Sequence, residues 1–324
     1  MAIARLAAAI AVLVLFATGC GSDDEGASNR VAGGEPTAQA SGDPSTDKLA
    51  QVLARGRLIL FTDLKYPPQS FGVKGAERLA DTKCAANEIT APEVSGYDAE
   101  TGKLVAKALG VEPCFVTASW TEVTGGNWGD RWDLAYGSGA VEYSRMEVLY
   151  VTQPYYSTPT PFFVPRSAKA KQPSDLDGKK VGACAGCTME KYLRGTLKLP
   201  GPPVEQLVAD PEIITFDTEV PGLKVTAKGK VAAFLCSEPV GEGAIAEGAA
   251  LRKLPKPAYY SNKTGYVDKE SGLAVGPFIE RVNEIVAARH EDGTLARLSE
   301  KFFGKDYAAE AAKFDIAALE QNVQ

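Results

Sequence analysis

Histidine is almost absent: His290 is the one example in 324 residues. It stands beside Glu291 near a helix end and reads as a solvated surface position rather than a catalytic base. Zinc needs four ligands, and no three-cysteine group here has a histidine close by. Basic residues are not in excess. There are 35 Lys and Arg against 41 Asp and Glu, a formal charge of −6, which excludes the positive footprint of a nucleic-acid binder. Long apolar runs are missing too. The run from Leu6 to Ala17 makes a helix of roughly 18 Å, short of the ~30 Å hydrocarbon core of a bilayer, and no other stretch is long enough. Residues 21–47 contain no aromatic residue and one large aliphatic, Val31. Such a segment cannot bury enough apolar surface to offset the cost of ordering.

What is present begins with the ends of that short run. Arg5 precedes it, and Ala17, Thr18, Gly19 and Cys20 close it. A positive residue, a short apolar core and small residues make a secretory signal rather than a membrane span. The closing residues resemble a bacterial lipobox, with Ala17 where a leucine is more usual. The resemblance implies removal of residues 1–19, lipidation of Cys20, and a disordered tether over 20–47. Secretion without the lipid is the plainer alternative.

From residue 48 onward strand and helix signals alternate. Ser45–Thr46–Asp47 can cap a short helix that stops at Gly56. RLILFTD (57–63), CFVTASW (114–120), WDLAYGS (132–138), EIITFDT (212–218) and KVAAFLCSE (230–238) have strand patterns. GYDAETGKLVAKALG (96–110), 277–293 and 294–304 have apolar residues three and four apart, as amphipathic helices do. YYSTPTPFFVPR (155–166) is held extended by its prolines. This alternation predicts an α/β fold with parallel sheets covered by helices, and ligands at the C-terminal ends of strands.

Five stretches, in order, resemble the bacterial extracellular solute-binding proteins of family 3, the amino-acid-type substrate-binding components of ABC importers. They are RLILFTDLKYPPQSF (57–71), GYDAETGKLVAKALG, WDLAYGSGAVEYSRMEVLYVTQPYY (132–156), SDLDGKKVGACAGCTMEKYL (174–193), and the helices from Phe278 to Gly304. The resemblance implies a two-lobed periplasmic-binding-protein type II fold joined by two crossover strands. Lobe 1 would be 48–158 plus 264–308, lobe 2 would be 159–263, and 309–324 a C-terminal tail. It implies a small polar, carboxylate-bearing solute in the cleft, an ABC permease as partner, attachment to the outer face of the cell membrane through the lipid, a monomer, and neither cofactor nor metal.

The same resemblance assigns site residues. Arg145, twelve residues after Asp133, stands where the family grips a carboxylate, and a guanidinium fork suits that group. Asp63, Tyr66 and Trp120 match first-lobe contacts, the two rings as apolar walls. Ser138 and Ala140 stand where a backbone contact and a threonine hydroxyl are usual, so Ala140 is a departure. In lobe 2, Cys184, Cys187 and Thr188 occupy the ligand loop. Ser237 stands where most members carry the Asp that binds an α-ammonium, and Glu238 follows it. A buried ammonium needs an anion, so Glu238, Glu142 or Asp63 must supply it, or the solute lacks the amine. Some proteins of this fold are cyclohexadienyl dehydratases; Glu238 is the candidate general acid for that alternative. A ligand sensor would need the same cleft.

With Cys20 lipidated, five cysteines remain, so at least one is unpaired. The long segment 72–95 is expected to fold over lobe 1, tied by Cys84–Cys114. A second disulfide is expected among Cys184, Cys187 and Cys236. Adjacent strands favour Cys236 as a partner and short range favours Cys184–Cys187; spacing leaves both open. A redox role for the CxxC pair is the alternative.

Overall fold

A computed structural model describes residues 42–321. The signal segment, Cys20 and most of the tether lie outside the described residues. Among the described residues, no helix is long and apolar enough to cross a membrane.

The larger of two main sheets has seven strands. At its centre is Arg57–Phe61, where Leu58, Ile59, Leu60 and Phe61 are all buried. A continuous apolar run of this kind suits a parallel strand covered on both faces. It pairs in parallel with Glu112–Val116 on one side and Leu134–Ala140 on the other. The long strand Tyr259–Asp268 runs antiparallel to Leu134–Ala140 and also pairs with Leu149–Val151 and Tyr156–Thr160. Helices Tyr97–Leu109, Gly276–Glu291 and Thr294–Phe303 cover one face through Val105, Leu109, Phe278, Val282, Ile285 and Leu295.

Trp128 and Trp132 fill the other face, as core and not as an extension of the cleft. Phe314, Ile316 and Leu319 pack on that face as well. The Gln321 side chain donates to Val151 O at 3.0 Å and accepts from Val151 N at 2.8 Å. The described part of the C-terminal tail is thus bound to the large sheet.

The second sheet has five strands, in the order Glu212–Phe216, Lys180–Cys184, Ala233–Leu235, Phe162–Pro165, Leu251–Lys253. Helices Glu219–Ala227 and Glu238–Ala246 lie against it, with Leu223 and Val240 packed on Phe163 and Phe234. Their Pro and Gly content hides these two helices from a periodicity reading, although Pro is tolerated in a first turn. The two sheets are joined where Tyr156–Thr160 leaves the large sheet and Tyr259–Lys263 returns to it. These crossover segments pair antiparallel, Tyr259 opposite Thr160 and Lys263 opposite Tyr156.

Three local expectations need correction. The strand read from 114 to 120 ends at Val116, and Trp120 opens a helix to Gly125. Ser119 caps it, accepting from Glu122 N at 3.2 Å. His290 is not simply solvated: its ring is half-buried, with Nε2 2.8 Å from Pro154 O, and burial pushes its pKa down. Glu238 does not stand in the cleft but is bonded to Lys253, Lys305 and Tyr307.

The disulfides are Cys84–Cys114 and Cys184–Cys187, with Cys236 free and buried. Cys236 packs with Phe163, Leu223 and Phe234, whereas Cys184 and Cys187 lie with Met189 and Tyr192 in a different cluster. Packing separates the thiols that strand adjacency alone would pair.

Candidate functional site

The wall on the seven-stranded side starts from a buried anchor. Asp133 accepts from Ile59 N at 2.8 Å, lies 3.4 Å from Lys48, and is paired with Arg55. From it the strand Leu134–Ala140 runs to the cleft, roughly 23 Å at the usual rise. Arg145 follows in the short helix Tyr143–Met146 and is 4% exposed. Its Nη1 donates to Tyr266 OH at 2.9 Å, which in turn donates to Ala140 O at 2.6 Å. Nη2 donates to Gly186 O across the cleft at 3.3 Å. Glu142 lies 3.4 Å from Nε, and the guanidinium sits 5.2 Å over the Trp120 ring. Two of five donors are engaged in hydrogen bonds, and Nε has no such partner.

Beside Arg145, Ser138 takes a left-handed backbone with φ 57°, strained for a residue with a side chain. A buried network holds it there. Ser138 Oγ donates to Asp98 Oδ2 at 2.7 Å, Tyr155 OH donates to Asp98 Oδ1 at 2.8 Å, and Tyr156 OH donates to Ser138 Oγ. Asp98 reaches this place because Gly96 precedes its helix at φ 116°, pressed so close to Gln69 O that any Cβ would stand 2.3 Å from it. Burial raises the Asp98 pKa to about 7, against the lowering effect of its Ser138 and Tyr155 bonds.

The opposite wall comes from the five-stranded side. Cys184, Cys187, Thr188 and Met189 line it, and the Thr188 hydroxyl accepts from Tyr259 OH at 3.0 Å. Asp217, Thr218 and Glu219 complete it at the start of the helix Glu219–Ala227. Glu219 is buried. It accepts from Tyr66 OH at 2.8 Å across the cleft and from Ser237 N at 3.4 Å. Burial raises its pKa, opposed by the Tyr66 bond and the Lys263 charge.

Of the residues expected from sequence, Asp63, Tyr66, Trp120, Ser138, Ala140, Arg145, Cys187 and Thr188 line this one cleft. Ser237 and Glu238 do not. Ser237 is buried one step behind, with its backbone on Glu219 and its hydroxyl 3.2 Å from Thr158 Oγ1. Glu238 accepts from Lys253 at 2.9 Å, Lys305 at 3.1 Å and Tyr307 OH at 2.7 Å, outside the cleft. Burial works to raise its carboxyl, but these three donors outweigh it and hold the pKa below the usual range. Glu142 is likewise committed, to Arg145 and to Lys191 at 2.7 Å.

Asp217, Glu219 and Lys263 are the charged cleft residues that sequence reading missed. Glu219 sits in a segment whose helix is masked by Pro221 and Gly222. Lys263 lies in a polar stretch, SNKTG, whose strand character comes only from its partners.

The profile of the family described as bacterial extracellular solute-binding proteins, family 3, matches residues 85–305, more than half of the chain. This chain is a family 3 bacterial extracellular solute-binding protein. Among curated relatives, the L-cystine-binding protein TcyJ of Escherichia coli (strain K12) is 26% identical over 267 residues, 80% of this chain and 86% of that protein. ABC transporter arginine-binding protein 1 of the same organism is 22% identical over 245 residues, 72% of this chain and 90% of that protein. An ABC uptake transporter substrate-binding protein from Streptococcus pneumoniae with bound histidine matches the fold at TM-score 0.66 and 17% identity, covering 82% of this chain and 99% of that chain. The ancestral amino acid-binding protein AncCDT-1, a precursor of cyclohexadienyl dehydratase, matches at TM-score 0.64 and 21% identity, covering 79% and 100%. The structural likenesses establish the two-lobed fold of this family 3 protein. The curated relatives are amino-acid-binding proteins, and the role they support is binding of an amino-acid solute.

Proposed function

We propose that this family 3 protein is the lipid-anchored, extracytoplasmic solute-binding component of an ABC importer, and that it takes an α-amino acid. The lobes in this reading are 48–158 with 264–308, and 159–263. One observation carries it: a buried guanidinium, Arg145, and a buried carboxylate, Glu219, line the same inter-lobe cleft from opposite sides. That pair matches the two charges of a zwitterion, carboxylate to Arg145 and ammonium to Glu219. Glu219 thereby supplies the anion that Ser237 lacks. Tyr66–Glu219 and Arg145–Gly186 already bridge the cleft, so these groups also serve lobe closure around a solute.

A panel of L-cystine, L-arginine, L-histidine and the other amino acids, read by thermal shift and calorimetry, tests this. A ligand at 100 times its Kd stabilises by about 2.7 kcal/mol. No shift with any amino acid would overturn the solute class. For the anchor, Cys20→Ala is expected to release mature protein from membranes; unchanged partitioning would refute it. Uptake of the identified amino acid should fall when the chain is deleted and return with the wild-type gene.

A dehydratase reading is weaker than at the level of sequence. Its candidate acid, Glu238, lies outside the cleft and is held ionised by Lys253, Lys305 and Tyr307. Turnover of prephenate or arogenate by the purified protein would revive it through another residue.

A further inference from the structure

The second crossover strand carries a cation, Lys263, that the pairing of the zwitterion with Arg145 and Glu219 does not engage. Lys263 is 3% exposed and lines the cleft. Among the described residues its ammonium has no hydrogen-bond or ion-pair partner, although a buried ammonium ordinarily has one. The acids around it are engaged elsewhere. Asp98 is bonded to Ser138 and Tyr155, and Glu219 to Tyr66 and Ser237.

The backbone explains how it gets there. Lys263 stands directly opposite Ala140 in the antiparallel ladder, and the next pair is Thr264 with Gly139. Directly opposed residues share a face of the sheet. Both line the cleft, and Ala140 presents only a methyl group, so the lysine stem has room to pass over it. The strand Leu134–Ala140 leads straight into the turn that holds Arg145. Lys263 and Arg145 are close enough to repel. The lysine's pKa is pushed down first by burial and also by the Arg145 charge, with Glu219 and Asp98 acting against that. Two buried cations line one cleft: Lys263 has no hydrogen-bond or ion-pair partner among the described residues, and Arg145 has two hydrogen bonds and a 3.4 Å ion pair to Glu142 but no hydrogen bond at Nε; together they define a place for an anion between them.

We propose that Lys263 is a second carboxylate-holding residue, sharing one solute carboxylate with Arg145 from the floor of the cleft. This rests on the reading of the cleft as an amino-acid site and adds the residue that selects acids over amines. The arrangement is a point charge beside a planar fork, two complementary ways of holding one carboxylate.

The test uses matched probes that differ only in carboxylates: L-arginine against agmatine, and L-cystine against cystamine. Calorimetry on wild type and Lys263→Met should show the acids weakened about 10- to 100-fold. The amines should be unchanged or tighter in the variant. Equal effects on acid and amine, or none on either, would overturn the assignment.

A second readout needs no ligand. Lys263→Met replaces a buried unpartnered charge with an apolar chain of similar length, so the ligand-free variant should melt higher, by about 2–5 °C. A lower melting temperature would mean that Lys263 is a structural partner of Glu219, and the proposal falls. If wild type binds neither acid, the amino-acid reading fails on its own, and the melting comparison still decides whether Lys263 is held in reserve for an anion.

Discussion

The two walls of the cleft are built by different means. On the seven-stranded side, the groups around the carboxylate position are braced chiefly by their own lobe: Ser138 by Asp98, Tyr155 and Tyr156, and Arg145 by Tyr266 and Glu142, with one further bond from Arg145 to Gly186 O across the cleft. On the five-stranded side, the wall is a loop closed by Cys184–Cys187 and the start of a helix, and its central acid finds its hydroxyl donor, Tyr66, on the opposite lobe. One wall is preorganised by long-range packing. The other is completed when the lobes meet. Binding energy should therefore concentrate on the first wall, and closure should depend on the second.

The largest expected effect contrasts the two disulfides. Cys84–Cys114 spans 30 residues and Cys184–Cys187 spans 3. Loop-closure entropy then predicts losses of about 4 and about 2 kcal/mol when each pair becomes alanine, read by urea melts. Only the second pair lines the cleft, so only its loss should weaken amino-acid binding. A binding defect in the Cys84/Cys114 variant instead would erase the distinction between outer brace and cleft wall.

Arg145→Met comes next, at about 3 kcal/mol or roughly 150-fold in affinity. Calorimetry with the amino acid identified in the panel measures it. Wild-type affinity in a folded variant would move the carboxylate site off the first wall.

Glu219→Gln should cost about 2 kcal/mol, near 30-fold, because a charge-assisted bond to the ammonium is lost while shape is kept. Glu238→Gln should leave affinity unchanged. The reverse result would restore Glu238 as the ammonium site and remove Glu219 from it.

The smallest effect sharpens the claim that the first wall is braced from within. Burial raises Asp98 to about 7 from 3.8. Folding then favours the protonated acid. Its stabilising contribution is complete below about pH 4 and is lost as pH rises through 7. Thermal melts of wild type and Asp98→Asn should show wild type gaining on the variant by about 1 kcal/mol between about pH 7.5 and about pH 6. A gap that widens toward high pH would mean that Asp98 is held as an anion.

Much of this protein was legible along the chain. The apolar run at Leu58–Phe61, the caps at Asp47, Gly56 and Gly110, and the 3-and-4 spacing of Phe278, Val282, Ile285 and Val286 are local signals, and they set the strands and helices of the larger sheet. Arg145 and Ser138 were assigned by the family resemblance, and they line the cleft because strand, turn and short helix follow one another without interruption. What no local signal contained was decided by tertiary structure. Glu219, and not Glu238, is the acid facing the cleft because two neighbouring strand ends and a helix start converge there, and convergence has no sequence spacing. Lys263 enters the cleft because the ladder sets it opposite Ala140, a register fixed by strands more than a hundred residues apart. Cys184 pairs with Cys187 and not with Cys236 because the core puts the third thiol among Phe163, Leu223 and Phe234. The chain determined its elements by periodicity and capping; the choice of which charges share a buried cavity was left to packing, where desolvation makes each pairing a property of the whole fold.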